Sequence, residues 1–169
     1  MTLSVSYLFQ DWNANPANIK SRIILVVFRL ASSLRQARGW RYNPLTLAVG
    51  IGYRLVVEWV LGVELPWKTQ VGPRLQIFHG FGIVVNDGAK IGADVVIRHG
   101  VTIGSKSHGG GAPIIEDGVE IGCGAAILGP VVVGARSVVG ANSVVAKDVP
   151  AGSVVAGNPA VVVHGVKGG

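Results

Sequence analysis

The groups able to do chemistry in this 169-residue chain are few: four histidines, nine carboxylates and one cysteine. Two histidines share a phase, His79 standing two places after Ile77 and His99 two places after Ile97. Imidazoles stacked at one corner suit proton transfer near neutral pH. Ser105, Cys123 and Ala141 stand 18 residues apart, each two places after an aliphatic residue. That spacing predicts a strip of small side chains and a groove in which a long, thin ligand can lie; small residues also simply suit tight corners. Cys123 has no base beside it in sequence and reads as groove wall rather than nucleophile. The stretch Ser105–Pro113 has no apolar beat and is glycine-rich, the signature of a loop thrown out from a scaffold. His108 lies in it, and His79, His99 and His108 together are the three histidines a metal site would need.

The elements positioning these groups follow from a six-residue period. Aliphatic residues open hexads at Val71, Ile77 and Ile83, then at Val85, Ile91, Ile97 and Ile103. After the loop they resume at Ile115, Ile121, Ile127, Val133, Val139 and Val145. A period of six is neither helical nor simple alternation; it marks a solenoid of short strands forming a prism. Three hexads make a turn, stacked about 4.8 Å apart. A two-residue slip between Ile83 and Val85 is what aligns His79 with His99. Ahead of the prism, two helices are expected at about 16–38 and 44–62, the first with Ile19, Ile23, Val27, Leu30, Leu34 and Ala37 on its apolar stripe and Asn15-Pro16 at its start. The second contains Arg54 and Glu58, four apart and able to pair. Two charges inside it, each costing about 2.5–3.5 kcal/mol at a bilayer centre, disfavour a membrane span. The expected organisation is an α-helical arm over 1–65, a solenoid over 66–163 with the loop 105–113, and a tail over 164–169.

The net charge of +6 is uneven: residues 1–68 hold eight Lys/Arg against three acids, and the rest seven against six. The basic arm lacks the aromatic interleaving and motifs of nucleic-acid binders. It suits an anionic membrane surface or a large anionic ligand, or is a solvated helix face. One cysteine excludes a disulfide framework and suits a reducing compartment. Asp11, Asn13 and Asn15 interrupt the layout of a signal peptide. The expectation is a cytoplasmic protein, with membrane association through the arm left open.

The repeats, the phrases Ile77-Phe-His-Gly-Phe-Gly-Ile-Val-Val and Arg98-His-Gly-Val-Thr-Ile-Gly, and the ending Val154-Val-Ala-Gly-Asn-Pro-Ala resemble the left-handed β-helix acyltransferases. Within them the chain is similar to the serine O-acetyltransferase branch, and more so to acetyltransferases of the colanic-acid, exopolysaccharide type. The resemblance implies a mainly β fold, a left-handed parallel β-helix behind a short helical arm, assembled as a homotrimer. It implies acetyl-CoA as co-substrate, no metal, and direct transfer of acetyl to a hydroxyl. By resemblance His79 is the general base and Glu64 its orienter, and Gly104 and Ser105 mark the oxyanion and acetyl site. Ser105, Cys123 and Ala141 fall where the pantetheine arm lies, and Lys147, Gly157, Asn158 and Pro159 where its nucleotide end lies. Phe78 replaces the aspartate that helps bind serine, and Gly111-Ala112 replaces the loop's Arg-His pair. These departures point to a sugar acceptor in exopolysaccharide biosynthesis, with Phe78, Phe81, His99 and His108 as candidate acceptor contacts. The alternatives are a serine O-acetyltransferase, a carbonic-anhydrase-like metalloenzyme and a non-catalytic scaffold.

Overall fold

The structure, a computed structural model, describes residues 4–36, 43–107 and 109–165. The hexads fold as their period requires, into three parallel sheets wound round a common axis. Sheet A stacks β1 (Val63–Glu64), β4 (Ile83–Val85), β7 (Thr102–Gly104), β10 (Ala126–Leu128) and β13 (Val144–Val145). Sheet B stacks β2 (Gln70–Val71), β5 (Lys90–Ile91), β8 (Ile114–Ile115) and β11 (Val132–Val133). Sheet C stacks β3 (Gln76–Phe78), β6 (Val96–Arg98), β9 (Glu120–Ile121), β12 (Val138–Val139) and β14 (Ser153–Gly157). The final strand β15 (Ala160–Gly165) turns back antiparallel on β14 through a cis Asn158-Pro159 bond and closes that end of sheet C.

Successive side chains of a strand face opposite ways, so each hexad opener points inward while its neighbours point out. Along sheet C the register stacks Ile77, Ile97, Ile121, Val139 and Val155, all buried. Each such side chain withdrawn from water is worth about 1.5–3 kcal/mol. The opposing cost is the ordering of a chain with many glycines. Part of it is reduced where turn residues match the backbone: Gly100 (φ +71) and Gly124 (φ +68) take a left-handed corner open to any residue only at a strain.

The arm comprises a short helix α1 (Val5–Leu8), which the sequence had not suggested, then α2 (Ile19–Gln36) and α3 (Pro44–Tyr53). The latter continues into a wider π-helical segment, Arg54–Val60. The expected continuation of the first helix to residue 38 lies outside the described residues. Asn43 caps α3 as its sequence suggests, accepting from Leu45 N–H at 3.0 Å, with Pro44 following. At α2 the expectation fails. Asn18, not Asn15, caps the helix, accepting from Ser21 N–H at 3.1 Å. The buried stripe is Ser21, Ile24, Leu25, Phe28, Arg29, Ala31 and Ser32, whereas Ile19 and Ile23 are exposed. The reason is what α2 packs on: the open polar end of the solenoid.

β3 is an outermost strand, so its outer backbone groups lack a strand partner. Side chains of the arm replace one. Leu75 N–H donates to Asp11 Oδ1 (2.9 Å), and Leu75 C=O accepts from Asn15 Nδ2 (2.8 Å). Ile77 N–H donates to Asn15 Oδ1 (3.0 Å), and Ile77 C=O accepts from Ser21 Oγ (2.7 Å) and Asn18 Nδ2 (3.4 Å). β2 is likewise an edge, and the carbonyls of Val71 and Gly72 accept from Arg29 at 2.7 and 2.6 Å. The fully buried Arg29 also makes a two-pronged pair with Asp11 (2.8 and 3.1 Å). Buried polar groups must find partners, and here the helix face and the sheet edge satisfy each other.

Candidate active site

His79 directly follows β3, at the corner between sheets C and A, in a left-handed conformation (φ +55). The two-residue slip is located here. β3 and β6 pair Phe78 with Arg98, which makes His79 level with His99, yet Gly100 N–H bonds to Phe81 C=O as Gly124 N–H bonds to His99 C=O. His79-Gly80 is therefore an insertion in the corner itself, ahead of β4. The slip between Ile83 and Val85 has the expected size but a different place: both are inward residues of β4, two apart on one strand. The insertion pushes His79 outward, where it is exposed. Its ring meets that of His99 edge to face, 5.9 Å between centroids.

The helical arm fixes this corner. Ser21 and Asn18 hold the carbonyl of Ile77, two residues before the base candidate. Lys20 Nζ donates to the carbonyls of Gly80 and Leu61 and lies 5.7 Å from the centre of the Phe81 ring. The Arg98 guanidinium covers the ring of Phe78 at 5.2 Å. Beside His79 opens a groove of about 960 Å3, lined by Asn13, Asn18, Lys20, Gln76 and Phe78 among others. Residues Asp11, Asn15, Asn18, Lys20 and Ser21 were not recognised as site-forming from sequence. The available signal was Arg29, a charge set inside the apolar run Ile23–Ala31 that could be buried only with partners.

The strip Ser105–Cys123–Ala141 does not form. The register pairs Ile97 with Ile121 and Ile121 with Val139, which puts His99, Cys123 and Ala141 in one column, continued by Gly157. Ser105 follows β7 on sheet A, level with Gly129 and Lys147 at the corner between A and B. The loop 105–113 inserts six residues between β7 and β8, so counting 18 across it lands one face away. Lys106 in this loop reaches the carbonyl of Ala146 at 3.5 Å. His108 lies outside the described residues. The candidates thus separate onto the two edges of sheet A. His79, His99, Cys123, Ala141 and Gly157 share one edge, spanning about 19 Å over four steps of the stack. Gly104, Ser105 and Lys147 share the other. The exposed Asn158 and Pro159 make the turn beyond Gly157.

Glu64 ends β1, the first strand of sheet A. It is exposed on sheet A, pairs in register with Val84, and lines a groove with Arg54, Glu58, Lys68 and Asp87. Among the described residues no hydrogen bond joins it to His79. Arg54 and Glu58 pair as the sequence anticipates, at 3.1 Å. Nearby, burial and then the Glu58 charge push the Tyr53 phenol above its ordinary pKa. Its hydroxyl donates to Leu65 C=O at 2.5 Å and ties α3 to the first coil. Among the described residues no cluster of three His, Cys, Asp or Glu is disposed to hold a metal.

Comparison with known proteins gives a consistent picture. Residues 112–147 match the family model "Bacterial transferase hexapeptide (six repeats)". The chain is 33% identical over 101 residues to the putative colanic acid biosynthesis acetyltransferase WcaB of Escherichia coli, covering 59% of this chain and 62% of that protein. It therefore spans under two thirds of that relative's length. It is 33% identical over 138 residues to serine acetyltransferase of Helicobacter pylori, covering 80% of this chain and 77% of that one. Among solved structures, Brucella abortus serine acetyltransferase in complex with coenzyme A superposes with a TM-score of 0.77 at 29% identity, covering 95% of this chain and 68% of that chain.

Proposed function

This chain belongs to the hexapeptide-repeat bacterial transferases, in their serine-acetyltransferase-like branch, and on that premise we propose that it moves an acetyl group from acetyl-CoA to a hydroxyl of a sugar in exopolysaccharide biosynthesis. The observation that carries the reading is the edge of sheet A. An outward histidine stands at its foot beside a large groove, and small residues (Cys123, Ala141, Gly157) continue above it. A pantetheine arm laid along that column brings its thioester to His79, with the acceptor in the groove.

The chemistry then needs one base and one oxyanion site. His79 takes the proton of the acceptor hydroxyl as the oxygen attacks the thioester carbonyl. The tetrahedral oxyanion collapses, the C–S bond breaks, and the CoA thiolate recovers the proton from the imidazolium. No acyl-enzyme is required. Gly104 and Ser105 are the proposed oxyanion donors and Lys147, with Asn158 and Pro159, the proposed nucleotide contacts. Gly104, Ser105 and Lys147 lie on the opposite edge of sheet A from His79. We infer a homotrimer in which the His79 edge of one protomer meets Ser105 of the partner subunit. Glu64, exposed on the same sheet A that His79 leads into, is the proposed orienter of His79.

Sugar is favoured as acceptor because the groove offers amides and an aromatic ring. Asn13, Asn18 and Gln76 can bond hydroxyls, and Phe78, 40% exposed, presents a face for a ring. Phe78 has no charge to hold the ammonium of serine. Serine remains the second reading because the relative matched over most of both chains is a serine acetyltransferase. The test is thiol release from acetyl-CoA with a panel of serine, hexoses and repeat-unit oligosaccharides. Sugars are expected to respond, and a response to serine alone overturns the acceptor assignment. His79→Ala is expected to lower turnover about 10²–10⁴-fold; undiminished activity removes it as base.

A further inference from the structure

We propose that the outer face of α3 and its π-helical continuation is a docking surface for an anionic membrane. The inner side of this helix is closed against the protein by Thr46, Gly50, Tyr53 and Val57. The opposite side carries Leu47, Ile51, Leu55 and Trp59, with Val56 and Val60 beside them. All six are exposed, and Trp59 and Val60 reach 76%. Spacing by four residues drifts around an ordinary helix of 3.6 residues per turn. The wider turn from Arg54 onward, with Leu61 N–H bonded back to Val56 C=O, drifts the opposite way and keeps the stripe straight. A contiguous apolar stripe of this kind on a soluble fold marks an interaction site.

Length and charge identify what it meets. The ten residues of α3 and the seven that follow span about 25 Å, short of the ~30 Å of a hydrocarbon core. No helix among the described residues is long and apolar enough to cross a membrane. Such a helix lies in the interface, where an exposed tryptophan is at home. Residues 1–68 carry eight Lys/Arg against three acids, an excess that remains after Arg54, 65% exposed beside the stripe, pairs with Glu58. Two copies meeting through this face would bring two net-positive arms together, whereas anionic headgroups neutralise them. The helix also ends at the candidate site, because Leu61 C=O and Gly80 C=O share Lys20. Docking does not depend on the acetyl-transfer reading. Only its corollary, that the acceptor is presented from lipid, rests on it.

The test is flotation of the full chain with vesicles, which needs no substrate. We expect binding to equimolar phosphatidylcholine–phosphatidylglycerol vesicles, little to phosphatidylcholine alone, and weakening as salt is raised. Ile51→Ser with Trp59→Ser should lower the partition coefficient by about a hundredfold or more, at roughly tenfold or more per withdrawn side chain, with the melting temperature unchanged. Val60→Glu, at an exposed position, gives an independent reading should the double variant fold poorly, and is expected to lose anionic binding. Absence of binding to either vesicle, binding indifferent to lipid charge and salt, or full binding by the variants each overturns the proposal. So does a larger oligomer that the double variant dissociates without any vesicle binding, which would assign the face to a second copy.

Discussion

Asp11 offers a sharp test of how the arm holds the solenoid. Its carboxylate is 2% exposed and serves two partners at once: Arg29, 1% exposed, and the edge amide of Leu75. Asp11→Ala leaves the guanidinium buried without its counter-charge, held by neutral acceptors alone: the carbonyls of Val71 and Gly72 and the side-chain oxygen of Gln10. Breaking a buried pair from one side costs about 3–5 kcal/mol, and the orphaned Leu75 N–H adds to it, within about 1–3 kcal/mol. The two penalties share one side chain and do not sum freely, so a loss of about 4–6 kcal/mol is expected. Asp11→Asn keeps an acceptor for Leu75 and should cost less. Replacing an ordinary buried pair by apolar residues is often neutral, but here Asp11→Leu with Arg29→Met strips partners from Leu75, Val71 and Gly72 together. The double variant is therefore expected to stay destabilised by at least about 2 kcal/mol. Equilibrium denaturation at fixed protein concentration measures the stabilities, and amide exchange at Leu75 and Ile77 reports the edge directly. A double variant as stable as the parent, with those amides still protected, would refute the edge-capping argument.

Ile97→Ala removes a buried side chain stacked between Ile77 and Ile121, and should cost about 2–5 kcal/mol in the same denaturation assay. Gly122→Ala would place a methyl 2.5 Å from the backbone nitrogen of Ala141. A loss of about 1–3 kcal/mol is expected, whereas Gly52→Ala, with open space around it, should be neutral or stabilise by up to about 1 kcal/mol. The Arg74 guanidinium, by hydrogen bond and charge, holds the Asp94 carboxyl below the usual carboxylate range. A depressed folded pKa stabilises at pH above the unfolded value, about 3.9, and that contribution is lost as pH falls through the folded value. Asp94→Asn should therefore flatten part of the acid limb of a stability–pH profile and, because the pair is exposed, change little at neutral pH.

The sequence by itself determined the prism. A six-residue aliphatic period admits one arrangement of short strands, and local chemistry alone decides which side chain of each hexad points inward. The level of His79 with His99 was equally legible, since Ile77 and Ile97 open equivalent hexads and the register keeps them paired. Counting failed where the chain leaves the repeat. The loop after Ser105 consumes six residues without advancing the stack, so Ser105 and Cys123 land on different edges of sheet A. The α2 stripe misled for a related reason. Apolarity alone selects Ile19 and Ile23, yet the helix packs on an edge of unpaired amides and carbonyls, where Ser21 and Arg29 bury better. Local periodicity is written residue by residue. Which corner a loop returns to, and which helix face satisfies a sheet edge, depends on hydrogen-bond partners up to 64 residues away, and only the folded chain brings those together.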